Sequence, residues 1–244
     1  MINDRFYKIF NKLPILGMIH LAGDNPVRRA LEELTIYEKE GVDGAIIENY
    51  HGTVDDVINT LKETSKRKSN LVIGINILPN EFWLSLPLAE KYKAKFVQLD
   101  YVAGKYISGE LDFEDYKKIK GQHPEIVVLG GVWPKYYTPV EGSNLEYDLK
   151  EGMKNSEAIV VTGEATGKAT PLDKIKNFRQ ICGEHPLIVG AGLNPDNAYG
   201  QLMLADGAIV GSTFKLWNDT RNKLDSGEVK AFMDVVKQVR KDKY

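Results

Sequence analysis

A chain of 244 residues is close to the length of one (β/α) barrel and can bury a large core, so a single domain over residues 1–244 is the default expectation. Its 34 acidic and 32 basic residues leave a net charge of −2, which supplies no global field to recruit nucleic acid or an anionic membrane. The one cysteine, Cys182, excludes an intrachain disulfide and a cysteine-based metal cluster and fits a reducing compartment.

Along the chain, short aliphatic runs alternate with longer amphipathic segments. Strands are expected near residues 15–19, 45–48, 71–77, 96–99, 126–129, 158–161, 187–189 and 208–210. Eight continuous apolar runs of this kind, each followed by a helical pattern, predict a closed barrel of parallel strands, a (β/α)8 fold. The run 15–22 is too short for a membrane span and contains His20, and the first residues lack a small-residue cleavage site. The expectation is a cytoplasmic protein without membrane insertion.

Helix starts are signalled chemically. Asn25 precedes Pro26, Thr53 has Asp56 three residues on, and Thr170 precedes Pro171 with Asp173 in the first turn. Cys182 ends the amphipathic stretch DKIKNFRQIC and reads as packing, while the lysine-rich end at Lys243 reads as a solvated helix end. The longest irregular segment is 130–144, GGVWPKYYTPVEGSN, a candidate lid or binding loop. Near the end, LIVGAGLNPDNAYGQLMLADGAIVGSTF holds two apolar runs, each stopping at a glycine turn that opens a helix. Gly192 and Leu193 lie in the first turn, where Asn194 can cap the next helix with Pro195 at its first position, and Gly211 and Ser212 lie in the second. Glycine lets backbone N–H groups approach an anion, and consecutive turns of this kind after the last two strands of a barrel form a recurrent phosphate site.

On a barrel, chemistry sits where the strands end, and the polar residues there are His20, Glu48, Asn49, Asn76, Asp100, Lys135, Thr162 and Glu164. Glu48 and Asp100 each follow an apolar strand. Paired carboxylates in a partly desolvated mouth divide acid and base roles or hold a divalent cation; the structural alternative is that each caps a loop or pairs with a lysine. His20 suits acid or base work near neutrality, and Asn76 suits orienting a carbonyl or hydroxyl. The segment TGEATGKAT, with Gly163, Glu164, Thr166 and Lys168, offers backbone donors, hydroxyls and a cation to a phosphate. It lacks the first glycine of a nucleotide P-loop, so no nucleotide cofactor is expected, and a divalent cation stays open. A Schiff-base aldolase would need a lysine inside the barrel, where the sixth run AIVVTG has none. No site residue is assigned to a metal: an epimerase using a bound metal would need His or Asp ligands across several strand ends, and here the third offers Asn76 and the seventh only glycine and alanine.

The segments LPILGMIHLAG, EGVDGAIIENY, IGINIL, IVVTGEATGKATPLDKIK, VGAGLNPDNA and DGAIVGSTFK resemble, in order, the landmarks of the BtpA/SgcQ family of TIM-barrel proteins. The resemblance implies the barrel but no single reaction, since members are named for biogenesis of a photosynthetic membrane complex or for a sugar-metabolism gene region. It implies site roles for His20, Glu48, Asn49, Asn76, Thr162, Gly163, Thr166, Gly192 and Gly211. Two departures stand out. The loop LAGDNPVRRA is shorter than usual, and Gly131, Trp133 and Tyr136 replace an aspartate and two histidines after the fifth strand, while Lys135 and Thr138-Pro139 remain. Trp133, Tyr136 and Tyr137 are then available to stack on a sugar or base, or to pack at the mouth.

The leading expectation is a barrel enzyme acting on a small phosphorylated metabolite, a sugar phosphate, as an isomerase, epimerase or lyase. Glu48, His20 and Asp100 would be catalytic, Gly192, Leu193, Gly211 and Ser212 would bind phosphate, and Asn49, Asn76, Lys135, Thr162, Gly163, Glu164, Thr166 and Lys168 would contact substrate. The competing expectation is a non-catalytic assembly or regulatory protein using the same barrel. Self-association is common among barrels, although no sequence stripe marks an interface for a homo-oligomer.

Overall fold

Parallel strands that are apolar on both faces can be satisfied only with packing inside and outside, and the chain meets that demand by closing its sheet. The computed structural model describes residues 2–244. Its barrel strands are β1 (Ile15–Ile19), β2 (Gly44–Glu48), β3 (Val72–Asn76), β4 (Phe96–Leu99), β7 (Val127–Gly131), β8 (Ala158–Val161), β9 (Leu187–Val189) and β10 (Gly207–Val210). Each pairs in parallel with its neighbours, and β1 closes on β10. After β4 comes a small antiparallel hairpin, β5 (Lys105–Tyr106) and β6 (Gly109–Glu110), that the sequence patterning does not reveal. The outer ring is α2 (Pro26–Glu40), α3 (Val54–Thr64), α4 (Phe82–Lys91), α5 (Phe113–Gln122), α6 (Leu145–Asn155), α7 (Leu172–Cys182), α8 (Pro195–Leu202) and α9 (Ser226–Lys243). The predicted α/β (β/α)8 barrel is the observed fold, with strand ends matching within about two residues.

The two-residue period of each strand sorts its side chains. Ile15 and Ile19, Ile47, Val97, Val128 and Val161 face outward into one apolar cluster with the helices. Leu16, Met18, Ile46, Phe96, Val127, Leu129, Val160, Ile188 and Ile209 face inward into a second. That inner cluster also receives Phe6 and Phe10, because an additional helix, α1 (Ile2–Ile9), precedes the barrel. Phe10 meets Phe96, the first residue of β4, with ring centroids 5.2 Å apart, so this segment stoppers the end where the strands begin.

Asn25, Thr53 and Asn194 cap their helices as expected, the last two in capping boxes with Asp56 and Asn197. Three local expectations are corrected. Thr170 is not a cap: Pro171 takes that position, and the buried Thr170 hydroxyl donates to Ala191 O at 3.3 Å. The Gly211-Ser212 turn opens only a three-residue 3-10 turn, Ser212–Phe214. Lys243 is not simply solvated, because its ammonium bonds the carbonyls of Leu202 and Ala205 at the end of α8. Cys182 is buried against the helix layer, as packing requires. Among the described residues, no helix is long and apolar enough to cross a membrane.

Candidate functional site

Continuing each strand's inward alternation one step past the apolar layer reaches His20, Glu48, Asn76, Asp100, Gly131, Thr162, Gly190 and Gly211. These residues form the floor and sides of a cavity of about 450 Å³ at the end where the strands finish; Asn76 reaches it through Glu48. The glycines keep it open. A Cβ on Gly131 would fall 1.9 Å from Asp100 O, and one on Gly211 would press the His20 imidazole at 3.2 Å.

Glu48 is buried, and its carboxyl is pushed up to about 8, mainly by loss of solvent and further by the charge of Asp100. Lys135 and a 2.9 Å hydrogen bond donated by Asn76 Nδ2 to Glu48 Oε1 act in the opposite sense. Asp100 is also raised by burial, against hydrogen bonding and the nearby Lys135 charge; the Tyr137 hydroxyl donates to its Oδ2 at 2.7 Å. Two carboxyls in one dry site cannot easily both ionise, so a proton is retained between them into the neutral range. His20 is held well below its ordinary value by burial and by nearby cations, led by Lys215, so its imidazole is neutral. Three buried polar atoms here, His20 Nδ1, Asn76 Oδ1 and Gln98 Oε1, have no partner among the described residues, an arrangement that favours a polar ligand.

Above this floor, two loops are fastened together. Lys135 N donates to Thr162 Oγ1 at 2.8 Å, Lys135 Nζ to Thr166 Oγ1 at 2.9 Å, and Thr166 N to the Tyr136 hydroxyl at 2.9 Å. Lys174 Nζ supports both from beneath by bonding Trp133 O and Thr162 O. At the far side, Gly192 with φ +64 lies against the Lys168 backbone, where no side chain would fit. Among the described residues, the N–H groups of Gly167, Gly192, Gly211 and Ser212 find no acceptor in the protein. The segment expected as a lid or binding loop thus reaches the mouth through Lys135, Tyr136 and Tyr137.

The BtpA family model matches residues 12–238. The chain belongs to the BtpA family. Photosystem I biogenesis protein BtpA of Synechocystis sp. is 25% identical, with 98% of this chain and 93% of that protein covered. An uncharacterized protein of Pyrococcus horikoshii is 26% identical, with 95% and 98% covered. Among solved structures, phosphoribosyl anthranilate isomerase from Thermus thermophilus superposes with a TM-score of 0.67 at 14% identity, covering 93% of this chain and all of that one, a likeness of fold.

In this BtpA-family barrel, the residues singled out from sequence do not all converge. His20, Glu48, Asp100, Lys135, Thr162, Thr166, Gly192, Gly211 and Ser212 line the cavity. Asn49 instead clamps the next loop, accepting from Leu78 N at 2.8 Å and donating to Leu78 O. Leu193 is buried, and its carbonyl accepts from the Thr213 hydroxyl. Gly163 packs against the Lys168 and Ala169 backbone, while Glu164 and Lys168 are exposed outside the lining. Gln98 joins the site unannounced, and Tyr137, expected at the mouth only to stack or pack, also donates a hydrogen bond to Asp100. Gln98 was readable from the inward series Phe96, Gln98, Asp100; Tyr137 depends on a loop path that no period encodes. No three His, Cys, Asp or Glu side chains among the described residues gather as metal ligands.

Proposed function

We propose that this protein is an enzyme that moves protons on a small phosphorylated metabolite, a sugar phosphate, as an isomerase, epimerase or lyase. The observation that carries the reading is Glu48: a buried carboxyl with its pKa near 8, beside Asp100, in a cavity that extends to two glycine turns with unused N–H donors. Protonated Glu48 serves as the acid toward a substrate oxygen, and Asp100 takes the proton from the adjacent carbon. The enediol so formed is resolved by the reverse transfers at the same or the neighbouring carbon. Neutral His20 offers a hydrogen bond to a hydroxyl or carbonyl without adding charge. The free N–H groups of Gly192, Gly211 and Ser212, with the Ser212 hydroxyl, hold the phosphate, and binding energy gathered there orients the reacting carbons.

The test is a thermal-shift screen against sugar phosphates, run in parallel on Ser212→Asp, which places a negative charge in the phosphate turn. Gly211 is unsuitable for that change because His20 fills the space beside it. A sugar phosphate that stabilises the parent but not a folded Ser212→Asp variant supports the reading; equal shifts for both, or none, count against it. The second reading, a non-catalytic assembly protein, draws on the name of the Synechocystis relative and on the altered motif around Gly131, Trp133 and Tyr136. It predicts that phosphorylated sugars leave the melting temperature unchanged.

A further inference from the structure

The wall that ends the barrel mouth is also the wall of a second cavity. A polar hollow of about 640 Å³ lies beyond it, and the two share Gly167, Gly192 and Ser212. These shared residues carry the unused N–H groups and a Ser212 hydroxyl with no partner among the described residues. A phosphate monoester ends at its phosphate, so a site built for one needs only a closed wall behind the anion. Here there is open volume on both sides.

The far wall of the second cavity carries Trp217, whose side chain is the most exposed large apolar group among the described residues, at 86%. Trp217 and its neighbour Asn218 both have φ +56, a left-handed conformation that is uncommon for non-glycine residues. The loop is nonetheless fixed: Asn218 N bonds Lys215 O at 2.9 Å, Leu216 N bonds Lys223 O at 2.9 Å, and Asn222 Nδ2 bonds Leu216 O at 3.0 Å. A large ring is therefore presented to solvent by an ordered, unfavourable backbone. The charge around it is also informative. Lys215 contributes no free cation, since its ammonium is buried against both oxygens of Glu33 at 2.7 Å, while Asp196 and Glu228 stand exposed on the cavity wall. That field disfavours a second terminal phosphate and accepts a neutral or cationic group.

We propose that the second cavity holds the far half of a two-part substrate. The phosphoryl group joining the halves, in a diphosphate or phosphodiester, crosses at Gly192 and Ser212, and a flat nucleoside-like ring stacks on Trp217. The proposal rests on the phosphate reading above and narrows it to a substrate class. The ring is part of the substrate, held without a P-loop, and takes no part in the proton transfers.

Two probes separate the ideas: ribose 5-phosphate, a monoester, and ADP-ribose, in which a diphosphate joins ribose to adenosine. Affinities are measured by calorimetry and by quenching of tryptophan fluorescence for the parent, Trp217→Ala and Ser212→Asp, each first shown to melt cooperatively. ADP-ribose is expected to bind about tenfold more tightly than ribose 5-phosphate, the usual yield of one base stacked on an aromatic ring. Trp217→Ala should abolish that advantage and leave ribose 5-phosphate binding unchanged, and Ser212→Asp should weaken both probes. Equal affinity for the two probes, or an advantage that survives Trp217→Ala, overturns the two-part substrate while leaving the phosphate site standing. Binding of ribose 5-phosphate alone likewise overturns only the two-part substrate, whereas failure of both probes to bind, or binding indifferent to Ser212→Asp, overturns the phosphate reading and this proposal with it.

Discussion

The two ends of the barrel are built from the same strands on the same two-residue period, yet they differ in every physical respect. Where the strands begin, the inward positions hold Leu16, Ile46, Phe96 and Val127, stoppered by Phe6 and Phe10. Where they finish, the same faces hold His20, Glu48, Asp100, Thr162 and glycines around open volume. The first end gains stability from burial; the second gives some of it up by keeping unpaired polar atoms and a desolvated carboxyl. Under the proposed function, this separation lets the mouth carry chemistry without weakening the scaffold that aims it. The division can be broken from either side.

The largest effect is expected at the mouth. Glu48→Gln keeps the shape and the contact with Asn76 but removes the transferable proton. Turnover of a sugar phosphate identified by the screen should fall about 1,000-fold, a barrier increase of about 4 kcal/mol, while the phosphate affinity stays within a small factor. Steady-state kinetics with a parallel binding measurement check this. Unchanged turnover would remove Glu48 from the chemistry.

The same variant should also expose the stability given up at the mouth. Because folding raises Glu48 from an ordinary carboxyl value of 4.5 to about 8, the native state binds more protons than the unfolded chain in between. Its contribution to stability is complete below about pH 4.5 and is lost as pH rises through about 8. The difference is on the order of 5 kcal/mol at its upper bound. Glu48→Gln should therefore gain on the parent in melting temperature between pH 5 and pH 8.5, because only the parent loses the contribution of a protonated carboxyl over that range. Parallel melting curves across pH would refute the buried, protonated carboxyl.

At the closed end the expected effect is on stability alone. Phe10→Ala empties the contact with Phe96 and should cost about 3 kcal/mol in denaturant unfolding, with turnover of the remaining folded protein unchanged. If turnover falls along with stability, the two ends are coupled and the division of labour fails.

How far this division was legible in sequence follows from the range of the forces involved. The eight strands and the caps at Asn25, Thr53 and Asn194 are local, written in apolar runs and in side chains that bond backbone three residues away. The same alternation that put Glu48 and Asp100 at strand ends puts them inward together. Less local features escaped. The segment before residue 15 gave no strand pattern, yet it closes the barrel through Phe6 and Phe10. Lys215 and Glu33, 182 residues apart, form a buried pair that no spacing announces. Asn49, adjacent to Glu48, points out of the cavity's lining to hold Leu78, because one step along a strand reverses the face.

The smallest predicted effect concerns Tyr137, which reaches the mouth from the irregular loop. Its hydroxyl donates to Asp100 Oδ2 at 2.7 Å and favours the ionised form against the burial that opposes it. Tyr137→Phe removes that donor while keeping the ring packed against Tyr101 and Tyr106. The Asp100 pKa should rise, moving the acid limb of the kcat/KM profile upward by about one unit, because a base must be ionised to act. A purely structural role for Tyr137 would lower stability and leave the limb in place. A shift of the limb would instead assign the base to Asp100 and show that a loop, which strand periodicity does not encode, sets the pH range over which the mouth works.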